Sequence, residues 1–162
     1  MTTGTATRSA GLRDAMLQSA HAEAIAPLLA PGVVLHSPIL TTAFEGREMV
    51  AHLLSVVNDT VAIDHCTHQL TDGSAEMLVF DDRIGDHPLQ ATILIEFDDD
   101  GRARQIDVFF RPLRAMAAFI AATGPQLAKS PGAARLMRAL GPGMPLMAAG
   151  VDGLARRAVR FR

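Results

Sequence analysis

The block from Val33 to Val57 constrains the fold more than any other part of the chain. It begins with an apolar, β-branched run that predicts a strand over 33–37, and Pro38 ends this run because proline cannot donate to a β-ladder. After a short polar loop, Gly46 precedes apolar residues at helical spacing, which predict a helix over 47–57. These apolar residues are Met49, Val50, Leu53, Leu54 and Val57.

The region after this block is predicted to form an antiparallel meander. Turn sequences such as Asp72-Gly73 and Asp98-Asp99-Asp100-Gly101 separate apolar segments, and strands joined by such short turns pair as antiparallel neighbours. Pro112 ends the last segment. The four predicted strands are 61–70, 77–84, 89–97 and 104–111.

Helices are predicted on both sides of these strands. Residues 9–30 read as a helix that Ser9 can cap and that Pro27 divides into two pieces, with Ser19 packing at the edge of its apolar stripe. Pro31-Gly32 ends this segment. Three further helices are predicted at 113–123, 125–140 and 145–162, and they are too apolar to remain unpacked.

Composition excludes several classes of function. The chain has 162 residues, 49% of them apolar, and a net charge of −2, which fits one folded domain and argues against nucleic acid as a partner. Cys66 is the single cysteine, so no intrachain disulfide can form, and we expect a cytoplasmic protein. The sequence contains no Tyr and no Trp, which excludes any mechanism that needs a phenol donor.

Charge is divided unevenly along the chain. Residues 1–110 hold 6 Lys/Arg and 16 Asp/Glu, a charge of −10, whereas residues 111–162 hold 9 and 1, a charge of +8. We expect the basic tail to face the acidic body of the same protein or of a dimer mate. An anionic membrane surface is the alternative, and the lack of an aromatic belt in the tail disfavours it.

A strand ending in X-Pro, a Gly-Arg-Glu helix start at 46–48 and an antiparallel meander together resemble the NTF2-like superfamily, in its SnoaL-like branch. The resemblance covers residues 9–112 and implies an α+β, cystatin-like cone, in which a curved antiparallel sheet and N-terminal helices enclose a small-molecule pocket. Residues 113–162 form a helical C-terminal extension that packs on the cone, closes its mouth or contacts a dimer mate.

Alternation on the strands predicts which residues face the cone interior. One face of the segments 89–97 and 104–111 is apolar, as in a sheet with one packed face. The expected pocket residues are Leu35, Phe80, Ile93, Ile95, Phe97, Ile106, Val108 and Phe110. The segment at 77–80 is apolar on both faces, so its outer face is expected to be covered, and we predict a homodimer through this face.

The catalytic groups of related enzymes are not matched. The positions that carry the buried acid and the general base of ketosteroid isomerases of this fold fall at Ile93 and near Ser37, and their tyrosine has no counterpart. Asp82, Arg83 and Asp107 are similar to the Asp-Arg-Asp set of epoxide hydrolases of this fold. However, Asp107 lies between Ile106 and Val108 and so should point away from the apolar face.

Other polar residues remain candidates for proton transfer or ligand orientation. His36 on the first strand and His52 on the following helix are able to meet as base and acid, since imidazole titrates near neutral pH, or else both face outward. Asp82 would be a polar group in an apolar funnel if it points inward, but the alternation of 77–84 leaves its direction open. The sequence His65-Cys66-Thr67-His68 has too few ligands on one face for a structural metal, so we predict no metal and no cofactor.

Two functions are consistent with the sequence. The first is a cone protein that binds a hydrophobic small molecule without the full ketosteroid-isomerase catalytic set. The second is an enzyme of isomerase, cyclase or hydratase type that acts on a polyketide- or terpenoid-like substrate, with His36, Ser37, His52 and Asp82 as its polar candidates. An inward ionisable group with a shifted pKa would favour the enzyme.

Overall fold

The computed structural model of the protein describes residues 10–127, 131–141 and 143–158. The expected capping residue Ser9 and the predicted end of the last helix at 159–162 lie outside this part of the chain. The described helices are α1 (Ala10–Leu17), α2 (Ala22–Ile25), α3 (Arg47–Thr60), α4 (Leu113–Leu127), α5 (Pro131–Leu140) and α6 (Gly143–Ala158). The strands are β1 (Leu29–His36), β2 (Phe44–Glu45), β3 (Ala62–Asp72), β4 (Ala75–Ile84), β5 (His87–Phe97) and β6 (Ala103–Arg111).

The N-terminal segment is divided more strongly than its apolar stripe predicts. The expected single helix over 9–30 is replaced by α1, α2 and a 3₁₀ turn at Ala26–Leu28 that contains Pro27. Ser19 has a φ of 51° and is exposed, so the left-handed backbone at this residue breaks the helix after α1. The prediction that Ser19 packs at the edge of the stripe is therefore wrong.

The six strands form one mixed sheet in the order β2-β1-β6-β5-β4-β3. The meander β3-β4-β5-β6 is antiparallel, as its short turns predict. However, β1 pairs with β6 in parallel, so the sheet is not antiparallel throughout. A parallel pair requires a long connection between its strands, and the whole stretch from β2 to β5 supplies it.

The core lies between the inner face of the sheet and helices α1 and α3. Strand β5 shows the expected alternation, with Leu89, Ala91, Ile93, Ile95 and Phe97 buried and the residues between them more exposed. A second apolar cluster joins Ala115, Ala118 and Phe119 of α4 to the strand ends at Ile84 and Leu89. Helix α4 is thus packed onto the sheet, and it closes one end of the cone.

The helices beyond α4 make a different kind of contact. Both α5 and α6 pack mainly against α4 rather than on the sheet. None of the helices in the described ranges is long and apolar enough to cross a bilayer.

Candidate functional site

A cavity of about 310 Å³ lies between the inner face of the sheet and helices α1, α3 and α4. Its wall is almost entirely apolar, and three of its side chains are polar: Ser37, Asp82 and Thr123. The apolar part comprises Met16, Leu35, Pro38, Ile39, Leu40, Phe44, Leu53, Leu54, Val57, Val61, Ile63, Ala91, Ile93, Val108, Phe110, Phe119, Ile120, Gly124 and Leu127.

Strand β4 aims Asp82 into this cavity. Its buried positions alternate through Leu78, Phe80, Asp82 and Ile84, which settles the inward direction that the sequence left open. The Asp82 residue is 5% exposed. An acidic side chain is therefore held on the packed face of the sheet, where the next residues on the same face, Phe80 and Ile84, are apolar.

The residues directly beside Asp82 on the two adjacent strands are apolar as well. Asp82 is in register with Ile63 on β3 and with Leu89 on β5. Within the described part of the chain, no group donates a hydrogen bond to its Oδ1 atom. A buried polar atom of this kind is costly unless a ligand or water satisfies it, which makes Asp82 the strongest candidate for a functional group.

Burial raises the pKa of Asp82 from 3.8 to about 7, because desolvation disfavours the carboxylate, and the negative charges of Asp64 and Asp81 add to this effect. A carboxyl group with such a pKa is present in both protonation states near neutral pH. It is able to donate a hydrogen bond as an acid or accept one as a carboxylate. It also meets the requirement that a general acid or base titrates near the working pH.

The two hydroxyl groups of the cavity wall are held by local hydrogen bonds. Ser37 follows β1, and its Oγ accepts hydrogen bonds from the backbone amides of Ile39 (3.3 Å) and Leu40 (3.0 Å), which fixes the loop at the mouth. Thr123 Oγ1 donates to the carbonyl of Phe119 (2.8 Å). Within the described part of the chain the O–H group of Ser37 has no acceptor, whereas the proton of Thr123 is used within α4.

The predicted pocket residues divide into two groups. Leu35, Ile93, Val108 and Phe110 line the cavity. Phe80, Ile95, Phe97 and Ile106 do not line it, and they are at most 4% exposed in the main core. Their inward direction is as predicted, but α1 and α3 pack directly onto this part of the sheet and leave no space there.

The two candidate histidines do not meet. His36 is exposed and borders a depression on the other face of the sheet, together with Asp107 and Phe109. His52 is exposed in a separate groove beside Pro31 and Met49. Strand alternation turns His36 outward and the helix turns His52 away from the core, so the hypothesis that they act as an acid–base pair is not supported by their placement.

The positions compared with known enzymes fall as the alternation predicts. Ile93 and Ser37, the two positions that the resemblance compared with the carboxyls of ketosteroid isomerases, both line the cavity. Asp107 lies on the opposite face and accepts a hydrogen bond from Gln105 (2.9 Å). Arg83 is exposed and pairs with Asp64 (3.1 Å), so only Asp82 of the Asp-Arg-Asp set reaches the cavity wall.

Helix α4 contributes a part of the wall that the strand pattern does not reveal. Phe119, Ile120, Thr123, Gly124 and Leu127 border the cavity, and the ring of Phe119 meets that of Phe110 edge-on at 4.9 Å between centroids. The apolar composition of this segment indicated packing but not a position. Among the described residues, no group of three His, Cys, Asp or Glu side chains is placed to hold a metal ion.

No protein-family model matches the chain, and no curated protein matches it either. Several solved structures do match the chain. A steroid delta-isomerase from Pseudomonas aeruginosa is 27% identical, with a TM-score of 0.69 over 74% of this chain and 88% of its own. An uncharacterised cystatin-like protein from Silicibacter pomeroyi is 21% identical, with a TM-score of 0.72 over 76% of this chain and 87% of its own.

An LEH-like epoxide hydrolase from M. tuberculosis has the same fold, at 19% identity and a TM-score of 0.51 over 70% of this chain and 92% of its own. Together these similarities confirm the α+β cone: the chain has an NTF2-like, SnoaL-like fold, which is also called cystatin-like. Isomerases, cyclases and epoxide hydrolases are found among its structural neighbours.

Proposed function

We propose that the cavity binds an apolar small molecule that carries a polar group at one end. The single observation behind this proposal is the placement of Asp82, a buried carboxyl with an unsatisfied oxygen, in a wall that is otherwise almost wholly apolar. Ligand sites commonly combine an apolar lining with a few polar groups that fix orientation. In this proposal the apolar wall supplies affinity and Asp82 fixes the orientation of the ligand.

The size of the cavity limits the ligand. Its volume of about 310 Å³ lies at the lower end of the range of about 300–1,000 Å³ for small-molecule sites. The polar groups of the wall are few, so a ligand with several charges or hydroxyls would lose hydrogen bonds to water without replacement. A terpenoid- or polyketide-like molecule with one carbonyl or hydroxyl group fits both limits.

The protonation state of Asp82 selects the polar group of the ligand. Because its pKa is about 7, the protonated carboxyl can donate to a carbonyl or ether oxygen below that pH. Above it, the carboxylate can accept from a hydroxyl group. The hydroxyl of Ser37 at the mouth supplies a second donor.

A matched pair of tryptophan variants tests binding, since the chain has no Trp or Tyr and any new indole is a unique fluorophore. Phe110→Trp places the indole on the cavity wall, and Phe109→Trp places it on the opposite face, where the native side chain is 58% exposed. Titration with a steroid enone and a monoterpene ketone should change the emission of the first variant alone. Native mass spectrometry of the wild-type protein should show a co-purified apolar ligand.

An equal response from both variants, or none from either together with an unliganded mass, would contradict the proposal. Because the wall position at 110 is partly exposed, the larger indole can be accommodated without a full repacking of the core. Circular dichroism checks that both variants keep the native fold.

Catalysis of proton transfer is the second candidate function, and the observation in its favour is a buried carboxyl on the cavity wall with a pKa near 7. The 27% identity with a steroid delta-isomerase points to the same class of reaction. In this role the Asp82 carboxylate takes a proton from a carbon next to a carbonyl. The electron pair of the broken C–H bond moves into a dienolate, and the carboxyl returns the proton to the distal carbon of the double bond.

The cavity offers few hydrogen-bond donors that could stabilise the negative charge on the dienolate oxygen. Ile93 supplies no donor, the chain has no tyrosine, and the hydroxyl of Ser37 is the side-chain donor on the wall with a proton available. Stabilisation of the developing oxyanion usually contributes more to catalysis of this kind than any other single effect. We therefore expect slower turnover than an enzyme with a full donor set would give.

Asp82→Asn and its neighbour Asp81→Asn form the matched pair for catalysis. With a β,γ-unsaturated ketone as substrate, the rate of isomerisation should rise with pH and level off above about pH 7, as Asp82 becomes a carboxylate. Asp82→Asn should abolish it, whereas Asp81→Asn, on the outer face, should leave it intact. Turnover that is unaffected in Asp82→Asn would reject this candidate and leave ligand binding untouched.

A further inference from the structure

The wall of the cavity carries one ionisable side chain. Of the residues that border the cavity within the described ranges, Asp82 alone can hold a charge, and the others are apolar or carry the hydroxyls of Ser37 and Thr123. The helices and strands around the cavity thus present no second carboxyl, amine, guanidinium or imidazole to it in the described part of the chain. When Asp82 is ionised, its charge stands in the cavity without a countercharge.

The charged residues beside Asp82 on the sheet do not supply this countercharge. Arg83 follows it on β4, faces the opposite side and binds Asp64 of β3, with its Nε 3.1 Å from the carboxylate. His65 is exposed, and its Nε2 lies 3.9 Å from the carboxylate of Asp81. None of the salt bridges within the described ranges includes Asp82. The Asp82 carboxyl is therefore one half of a buried ion pair, and these residues do not provide the other half.

The environment of Asp82 favours a positive charge in the cavity. Burial raises the pKa of Asp82 to about 7, and the carboxylates of Asp64 and Asp81 add to this shift. A cation beside Asp82 would offset both effects, because it replaces lost hydration of the carboxylate and attracts all three negative charges. A neutral carbonyl or hydroxyl group forms a hydrogen bond with the carboxyl but leaves its charge uncompensated.

We propose that the cavity takes a lipophilic tertiary amine, bound as its ammonium ion with the N–H group donating to the carboxylate of Asp82. This inference rests on the proposed function, because it requires that the cavity binds apolar small molecules. The alkyl groups of such an amine suit the apolar wall, and its charge supplies the missing half of the ion pair. The volume of about 310 Å³ limits the apolar part to a small ring system.

The hydrogen-bonding groups of the wall favour a tertiary amine over other amines. A primary ammonium ion brings three N–H donors, but Ser37 Oγ already accepts from two backbone amides, and an unpaired donor in an apolar cavity is costly. A quaternary ammonium ion has no N–H group and would leave Oδ1 of Asp82 without a donor. A tertiary ammonium ion has a single N–H group, which matches a wall with a single carboxyl.

An amine and a ketone should respond differently to pH. The ammonium ion pairs only with the carboxylate form of Asp82, so its binding at low pH displaces the proton of that carboxyl. With a pKa of about 7, the carboxylate fraction rises from about one tenth at pH 6 to about nine tenths at pH 8, and the apparent affinity for the amine should rise about tenfold. A ketone accepts from the protonated carboxyl, so it should bind no more tightly at pH 8 than at pH 6.

Isothermal titration calorimetry of the full wild-type chain with two probes of similar size tests this proposal. The amine is N,N-dimethylcyclohexylamine, which stays protonated at both pH values as alkylamines do, and the neutral probe is cyclohexyl methyl ketone. The amine should bind about tenfold more tightly at pH 8 than at pH 6. At pH 6 it should also release about one proton per bound ligand, which titrations in buffers of different ionisation enthalpy measure. The ketone should show neither effect.

Asp82→Asn and Asp81→Asn are the matched variants for the same titrations. Asp82→Asn should lower the affinity for the amine at pH 8 by about tenfold or more and remove its pH dependence, because the amide carries no charge. It should still bind the ketone, since the amide can donate to the ketone oxygen, and this binding shows that the variant is folded. Asp81→Asn, on the outer face, should keep the preference for the amine at pH 8.

The outcomes separate this inference from the proposed function. If the wild type binds the ketone but gains no affinity for the amine at pH 8, the ammonium assignment is wrong and the cavity remains a site for neutral ligands. The assignment is also wrong if Asp82→Asn binds the amine with the wild-type pH dependence. If neither probe binds, the assignment is wrong, and the proposed function fails with it when the monoterpene ketone also leaves the emission of Phe110→Trp unchanged.

Discussion

Asp81 and Asp82 are neighbours in sequence but lie on opposite faces of β4. Asp81 faces outward, where its Oδ1 accepts a hydrogen bond from Gln90 at 2.8 Å. Asp82 is buried on the cavity wall between Ile63 and Leu89 of the adjacent strands. Because residues alternate between the two faces of a strand, Asp81 has a polar partner and Asp82 is buried away from water. This desolvation raises the pKa of Asp82 to about 7.

The stability of the protein should fall as the pH rises from about 4 to about 7 because of Asp82. Over this window the native state keeps a proton on Asp82 that the unfolded chain, with a pKa of 3.8, has already released. Each pH unit should cost up to about 1.4 kcal/mol of unfolding free energy from this group. Urea unfolding of wild type and Asp82→Asn at pH 5 and pH 8 measures the difference.

The variant should be the more stable protein at pH 8, since the amide stays uncharged, and its stability relative to wild type should fall towards pH 5. Asp81→Asn is the comparison variant: it keeps the buried carboxyl and should retain most of the wild-type pH dependence, reduced slightly because the charge of Asp81 adds to the raised pKa of Asp82. If Asp82→Asn also follows the wild-type curve, the carboxyl is not desolvated in the way described.

The sequence could not predict whether the Asp82 side chain points into the cone, and the reason is specific. Residues Met77 to Phe80 are apolar on both faces of β4, so alternation within the strand could not assign the inner face. The face is set by pairing with β5, where Asp82 lies opposite the buried Leu89. On β5 and β6 the pattern was clear, and the expected inward residues are indeed on the packed face.

The alternation of a strand predicts which face of the sheet a side chain lies on, but not whether that side chain borders the cavity or lies in the packed core. Ile93 and Ile95 have the same pattern, but only the first borders the cavity. The start of β1 was missed for another reason: Pro31-Gly32 reads as a breaker, yet these residues fall at an irregularity in the pairing of β1 with β6, where no regular ladder is needed.

Because Ile93 borders the cavity and Ile95 lies in the packed core, replacing each of them by alanine should lower the free energy of unfolding by different amounts. Ile95→Ala should lower the free energy of unfolding by about 2–5 kcal/mol, because the side chain is fully buried in a close-packed core. Ile93→Ala should cost about 1 kcal/mol less, since its side chain already borders empty volume and has fewer contacts to lose. Urea unfolding at one pH compares them, and equal losses would argue that the cavity is absent in solution.

The left-handed backbone at Ser19 predicts a stabilising substitution. With φ at 51°, a residue with a Cβ atom is strained, so Ser19→Gly should raise the free energy of unfolding by about 1 kcal/mol. Ser74→Gly, at another exposed serine where φ is not positive, should give no gain, because added freedom in the unfolded chain favours unfolding. Thermal unfolding of the two variants is a direct comparison, and a loss at Ser19 would contradict the assigned conformation.

The outer face of the sheet is where we expect a homodimer to form. Thr92 lies in the middle of this face, in register with Val79 on one side and with the 58% exposed Phe109 on the other. The same face carries the ion pair of Arg104 with Glu96 (2.6 Å), so it presents both signs of charge. A surface that is partly apolar and has both charges is able to match a second copy of itself around a twofold axis.

Thr92→Arg should therefore produce a monomer, because each copy would place a new cation at the centre of the contact and face its counterpart. Multi-angle light scattering at high protein concentration reads the mass directly, with wild type expected at twice the chain mass of 17.2 kDa. Met49→Arg, at an exposed position on α3, should remain dimeric. A wild-type protein that is monomeric at high concentration would remove the outer sheet face as an interface, and its apolar residues would then need another explanation.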